Sequence, residues 1–188
     1  MYSLIGRYST HAMNSTPNPA ADLAVLAQQE ALLRFPAFTL DTAWQLGTLL
    51  REALLARNAG GPGAAPGCTA EIELANHILF TATTPGATTP GATPNQADWI
   101  RRKRNTVRHF ARSSYAIGRQ LELDNQTLES RHGLPLADYA AHGGGFPLHI
   151  ADAFVGTIIL SGLPQRDDHT LVATALSTCL NIPIPQLP

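Results

Sequence analysis

The order of local patterns along the chain predicts an α+β domain. Two helical apolar stripes are followed by an alternating hairpin, a long amphipathic helix, a second hairpin and a last helix, and none of these segments requires a parallel crossover. An antiparallel β-sheet flanked by α-helices is what such an order builds. One stretch, "AAHGGGFPLHI", sets Gly143, Gly144 and Gly145 between His142 and Phe146. Three consecutive glycines lose much backbone freedom on folding, so they imply a place where the chain must come very close to something.

Asn18 followed by Pro19 reads as an N-cap and a first helical residue. With Leu23, Leu26 and Leu33 on one stripe, the pattern predicts a helix over 19–34. Asp41 can cap a second helix that turns Trp44, Leu46, Leu49, Leu50 and Leu54 toward a core and stops at Gly60 and Gly61. "CTAEIELANHILFTAT" alternates polar and apolar residues about a turn at Ala75 and Asn76, the mark of a hairpin. The repeat "TTPGATTPGATP" cannot bury a face and reads as a mobile loop insertion near 83–95.

From Gln96 to Leu123, Ile100, Val107, Phe110, Ala111, Ile117 and Leu121 recur at helical steps, which predicts one long helix with a basic opposite face. Residues 146–151 and 154–161 form a second predicted hairpin, turning near Asp152. Gly162, Pro164 and the Asp167-Asp168 pair then open a last helix carrying Leu171, Val172, Ala175 and Leu176. Residues 1–18 read as an extended or disordered arm. The segment 183–188 is a proline-rich tail that cannot be helical, and 19–182 is the folded domain.

Composition narrows the function classes. A chain of 188 residues, 44% hydrophobic and 14% charged, has material for one sizeable core. Its formal net charge of -1 gives no field that would gather nucleic acid or an acidic membrane surface. No apolar run approaches the roughly 20 residues of a membrane span, so a soluble, cytoplasmic protein is expected, without nucleic acid or membrane as partner. Cys68 and Cys179 fit reduced thiols in such a compartment.

The glycine triplet lacks a downstream Gly-Lys-Ser/Thr and the dinucleotide-binding spacing, and Ser161 does not sit in a Gly-x-Ser-x-Gly elbow. Nucleotide-dependent and hydrolase chemistry therefore have no motif. His109, His142, His149 and His169 stand near the remaining features, none at a compact metalloenzyme spacing. His169, in the first turn of the last helix, feels a dipole that favours the neutral imidazole able to ligate iron, against the pull of Asp167 and Asp168. It serves equally as a hydrogen-bonding residue there, and the same alternatives hold for His142. Arg104, Arg108 and Arg112 are four apart and share a helix face that suits carboxylates or phosphates, or ion pairs with a neighbouring subunit. Ser114, one turn on, adds a hydroxyl or simply packs as a small residue.

Taken together, "DTAWQLGTLLRE", "ADWIRRKRNTVRHFARSSYAIG", "YAAHGGGFPL" and "VGTIILSGLPQRDDHTLVATAL" resemble the haem-degrading domain family, the GlcG/HbpS-like proteins, over roughly residues 22–180. The resemblance implies a profilin-like fold, homodimers or larger symmetric assemblies, and haem or another tetrapyrrole as ligand in some relatives, with iron-dependent oxidative haem breakdown as a further implied activity. The resemblance carries no ligand set to this chain; read from the residues themselves, the expected site for such a ligand comprises His142, Gly143, Gly144, Gly145, Phe146, His169, Arg108, Arg112 and Ser114. His142 or His169 would ligate the haem iron, Phe146 would contact the macrocycle, and Arg108 or Arg112 would meet its propionates. The competing expectation is a non-enzymatic oligomeric scaffold, with the glycines at a subunit contact and the arginine row between subunits.

Overall fold

The computed structural model describes residues 18–58, 67–85 and 94–188. Gly60, Gly61, most of the Thr-Pro-Gly repeat and nearly all of the N-terminal arm lie outside the described residues. The elements are α1 (Pro19–Leu32), α2 (Leu40–Asn58), β1 (Thr69–Leu74), β2 (His77–Thr83), α3 (Pro94–Phe110), α4 (Ser114–Leu123), α5 (Leu128–His132), β3 (Gly145–Ile150), β4 (Ala153–Ser161) and α6 (Gln165–Leu180). The four strands form one sheet in the order β2-β1-β4-β3, and every neighbouring pair is antiparallel. The architecture is α+β.

Strand alternation decides which helices each face receives. Ala70 and Ile72 of β1, Phe146 and Leu148 of β3, and Ile158 and Leu160 of β4 share one face. There they pack with Leu46, Leu50 and Leu54 of α2 and with Val172 and Leu176 of α6. Each of the larger side chains among them, once removed from water, contributes about 1.5–3 kcal/mol. On the opposite face Ile159 of β4 meets Ile100 and Val107 of α3. The sheet is thus covered on both faces, by α2 and α6 on one and by α3 on the other.

Both hairpins turn where the sequence places them. Ala75 (φ 48°) and Asn76 (φ 67°) sit in the left-handed region between β1 and β2. Ala151 (φ 49°) does so between β3 and β4. The β3 edge is covered in part by Phe35, whose amide donates to the His149 carbonyl at 3.0 Å and whose carbonyl accepts from Ala151 at 2.8 Å.

Three sequence expectations need correction. Asp41 does not cap α2 but lies inside it, and the Thr39 hydroxyl accepts from the Thr42 amide at 3.1 Å instead. Trp44 does not face the core and is 69% exposed, because the buried stripe of α2 runs through Ala43, Leu46, Leu50 and Leu54. The predicted helix from Gln96 to Leu123 is two helices. Ala111 turns left-handed at φ 50°, and Ser113 starts α4 by accepting from the Ala116 amide at 3.2 Å. Glu30 of α1 holds the break from outside: its carboxylate accepts from the Ser113 amide at 2.8 Å and from Arg112 Nε at 3.2 Å. The apolar stripe runs on through the break, so periodicity alone cannot reveal it. Ser113→Ala removes the cap and should destabilise the protein by about 1 kcal/mol in urea unfolding; an unchanged midpoint would show that Glu30 alone sustains the break.

Candidate functional site

A cleft of about 300 Å³ opens at one end of the sheet. Its walls are the first half of α3 (Asn95, Gln96, Trp99 and Lys103), His142 ahead of the glycines, and the connection from β4 into α6, reaching Gln165 and Asp168. Trp99 and Lys103 are one helical turn apart and therefore share the face of α3 that looks into the cleft.

The floor carries a buried ion pair. Lys103 Nζ lies 2.8 Å from Asp168 Oδ2 and donates to the Leu160 carbonyl at 2.9 Å; the two side chains are 3% and 1% exposed. The other Asp168 oxygen accepts from the Leu163 amide at 3.0 Å. Burial pushes the Asp168 carboxyl up to about 6, against the pull of Lys103 and of the Leu163 and Gly162 amides. Burial also lowers the Lys103 ammonium, against the attraction of Asp168. Both groups are thus biased toward their neutral forms relative to water. Cys68 lies nearby on β1's approach, its thiol pushed up to about 11 by burial and then by the Asp168 charge.

The glycine triplet proves to serve packing of backbone on backbone. A Cβ on Gly143 would lie 1.7 Å from the Gln165 carbonyl oxygen, and one on Gly144 would lie 2.1 Å from that of Leu160. Gly144 also has φ +106°, and its carbonyl accepts from the Leu160 amide at 2.8 Å. Gly145 approaches Ser114 and Val107. Ser114 fixes both ends of the turn, accepting from the Gly145 amide at 3.0 Å and donating to the His142 carbonyl. The close approach is therefore to the start of α6 and to β4, and it sets His142 at the mouth of the cleft.

His142 is exposed, and its ring meets Trp99 edge-on at 5.0 Å between centroids. The protein around it lowers its pKa by desolvation, and the charges of Lys103 and Arg102 add to this. The other residues of the expected site do not converge with it. Phe146 is buried on the α2/α6 face of the sheet. Arg108 pairs with Glu73 at 2.6 Å, and Arg104 lies 3.4 Å from Glu71 and 3.7 Å from Glu73, so these two arginines meet β1. Arg112 is taken by Glu30. These intramolecular carboxylates occupy the row that sequence offered to propionates or to a second subunit.

His169 is enclosed, stacked on Tyr115 at 5.2 Å. Its Nε2 lies 2.9 Å from Gln29 Oε1, and the Gln29 amide nitrogen donates to the Pro185 carbonyl at 2.8 Å. That arrangement makes Nε2 the donor and leaves the buried Nδ1 as the bare nitrogen, so neither is open to an iron. Sequence reasoning passed over Lys103, Asp168, Trp99 and Gln96. The signal available was a single lysine set within a run of arginines, four residues after a tryptophan.

An α+β domain with an antiparallel sheet between helices and a polar cleft at the sheet's end defines the profilin-like class to which several solved structures belong. Within it, this chain belongs to the HbpS-like haem-degrading protein family, whose model matches residues 38–177. A UPF0303 protein of Serratia proteamaculans is 45% identical over 165 residues, covering 87% of this chain and 95% of that protein. A UPF0303 protein of Paraburkholderia phymatum is 48% identical over 158 residues, with 84% and 88% covered. The crystal structure of the Ybr137w protein superposes with a TM-score of 0.75 at 26% identity, over 87% of this chain and 92% of that one. The structure of a PduOC–haem complex shares the fold, with a TM-score of 0.58 at 16% identity over 80% and 99% of the two chains.

Two measurements test this geometry. Gly144→Ala should cost about 3 kcal/mol or more in urea unfolding, since it combines overpacking with a left-handed residue. Gly133→Ala, at φ +67° with nothing within 4 Å, should cost only about 1–2 kcal/mol. Equal costs would mean that the triplet is not packed as described. Burial, with Arg166 adding, pushes His169 down to about 3. Its folded pKa lies below the unfolded one, so its contribution is whole above pH 6.5 and is lost as pH falls toward 3. His169→Gln should therefore flatten the acid loss of stability by about 1.4 kcal/mol per pH unit between pH 6 and 4. An unaltered slope would contradict the buried neutral imidazole.

Proposed function

We propose that this protein binds haem or a related tetrapyrrole at the mouth of the cleft, where His142 would ligate the iron. The observation that carries the reading is an exposed imidazole biased toward its neutral form, with neither ring nitrogen engaged by another described residue. Neutral imidazole is the ligating form. Among the described residues no three His, Cys, Asp or Glu side chains gather to hold a metal ion. An iron at His142 therefore fits best as one that arrives with macrocyclic ligands of its own. A cleft of about 300 Å³ suits one edge of a macrocycle lying over it rather than full enclosure. Arg102, its guanidinium 4.5 Å over the Trp99 ring, takes a propionate in this reading, since its own partners, Asp98 at 3.8 Å and the Tyr139 carbonyl at 3.4 Å, hold it less closely than Glu73 holds Arg108 or Glu30 holds Arg112. The family's name and a relative crystallised with haem support the same reading. Haem, when bound, brings iron redox chemistry; the chain's part is to ligate, orient and hold carboxylates.

Haemin titration followed at the Soret band should show saturable binding that His142→Ala weakens at least tenfold, while His77→Ala, at the far hairpin, leaves it unchanged. Weak, non-saturating binding in the wild-type protein, or equal binding by the His142 variant, would overturn the assignment.

Self-association is the second reading, and one feature favours it. Among the described residues the outer edge of β2 has no strand partner, whereas Phe35 covers part of the opposite edge. Beside that open edge Trp44 and Ile78 are exposed, with Trp44 edge-on to Phe80 at 5.9 Å. An uncovered edge flanked by apolar side chains is a surface that a second copy of the same strand can complete. Light scattering on a sizing column should show an assembly that Ile78→Lys dissociates; a wild-type monomer would refute this reading.

A further inference from the structure

The chain contains twelve arginines and a single lysine, and that lysine is the cation buried at the cleft floor. An arginine would pair with Asp168 through two parallel hydrogen bonds and would keep its proton. An amine at this place can lose its proton. Lys103 lines the cleft, and its Nζ touches the one carboxylate there at 2.8 Å. Two further observations mark the cleft as a site with missing partners. Gln96, only 8% exposed, turns a buried Oε1 with no hydrogen-bond partner among the described residues. The first turn of α6 follows Pro164 and has no side-chain cap.

We propose that Lys103 is a Schiff-base lysine whose Nζ condenses with a small 2-oxo acid, with Asp168 carrying the protons and the uncapped start of α6 receiving the substrate carboxylate. Asp168 first takes one proton from the Lys103 ammonium. The nitrogen lone pair then forms a bond to the carbonyl carbon as the carbonyl π bond breaks onto oxygen, and one of the two protons left on nitrogen passes to that oxygen to give a neutral carbinolamine, whose hydroxyl can donate to Gln96 Oε1. Asp168 returns its proton to that hydroxyl, which leaves as water with the carbon–oxygen bond broken, so that the product is the protonated imine and Asp168 is again a carboxylate. Amine and carbonyl are consumed, imine and water are produced, and no oxidant or reductant is needed. The bias of both groups toward neutrality assists the first transfer. A cleft of about 300 Å³ with polar walls accommodates an acid of a few carbons. The inference does not rest on haem binding, and it is tested on haem-free protein.

The full chain carries only two primary amines, Lys103 and the N-terminal α-amine, so reductive trapping reads the proposal directly. Incubation near pH 7 with pyruvate and sodium cyanoborohydride, followed by intact mass and peptide mapping, should give one reduced adduct on Lys103, formed well ahead of the N-terminal amine. Lys103→Arg, which keeps the cation, should lose that adduct, and Asp168→Asn should slow it about 100-fold. Labelling of the folded wild-type protein at the N-terminus alone, or at Lys103 only after urea is added, would overturn the proposal. Wild-type labelling rates in a folded Asp168→Asn protein would remove Asp168 from the step.

Discussion

The contact between Lys103 and Asp168 joins three elements at one buried point: α3 supplies the amine, α6 the carboxylate, and the end of β4 the carbonyl that shares the amine's hydrogens. Removing two charges from water is costly, and a pair buried this deeply persists only when its remaining hydrogen-bonding capacity is met. Leu160, Leu163 and Gly162 meet it with backbone groups. The path of the chain from Leu160 to Asp168 is therefore fixed by electrostatics as well as by packing. The cleft exists because α3 and α6, on opposite faces of the sheet, are tied together at its end.

The glycine triplet follows from the same constraint. With the start of α6 drawn toward α3, the segment entering β3 has room only for backbone, and Gly143 and Gly144 lie against the Gln165 and Leu160 carbonyls. Ser114 then clamps the turn from α4. His142 emerges at the rim as a consequence, beside Trp99 and within the field of Lys103 and Arg102. Elsewhere the basic face of α3 is neutralised by Glu71 and Glu73 on the neighbouring strand, and Arg112 by Glu30. On the cleft side Lys103 is paired with Asp168, and Arg102 lies 3.8 Å from Asp98.

Much of the fold was legible because it rests on local signals: Asn18-Pro19 at the start of α1, the turn at Ala75 and Asn76, and the apolar runs of β3 and β4 on either side of a tight turn. The break at Ala111 was not, since a left-handed alanine leaves an apolar stripe unbroken and its support, Glu30, is 83 residues away from Ser113 in sequence. The site was less legible for the same reason. His142 could be singled out from its glycine neighbours, but whether each histidine ends at a surface or in a core is decided by distant partners such as Gln29. Likewise Arg108 meets Glu73 only once α3 lies on β1. The single lysine was visible as a count, whereas its carboxylate partner 65 residues on was not.

A double-mutant cycle on Lys103→Met and Asp168→Leu, measured by urea unfolding, tests most directly whether this pair organises the end of the sheet. Each single variant leaves an uncompensated buried charge or forces its neutralisation, and should lose about 3–5 kcal/mol. The double variant should recover most of one of those losses, giving a coupling of at least about 2 kcal/mol. Additive losses, with no coupling between the two positions, would contradict the account.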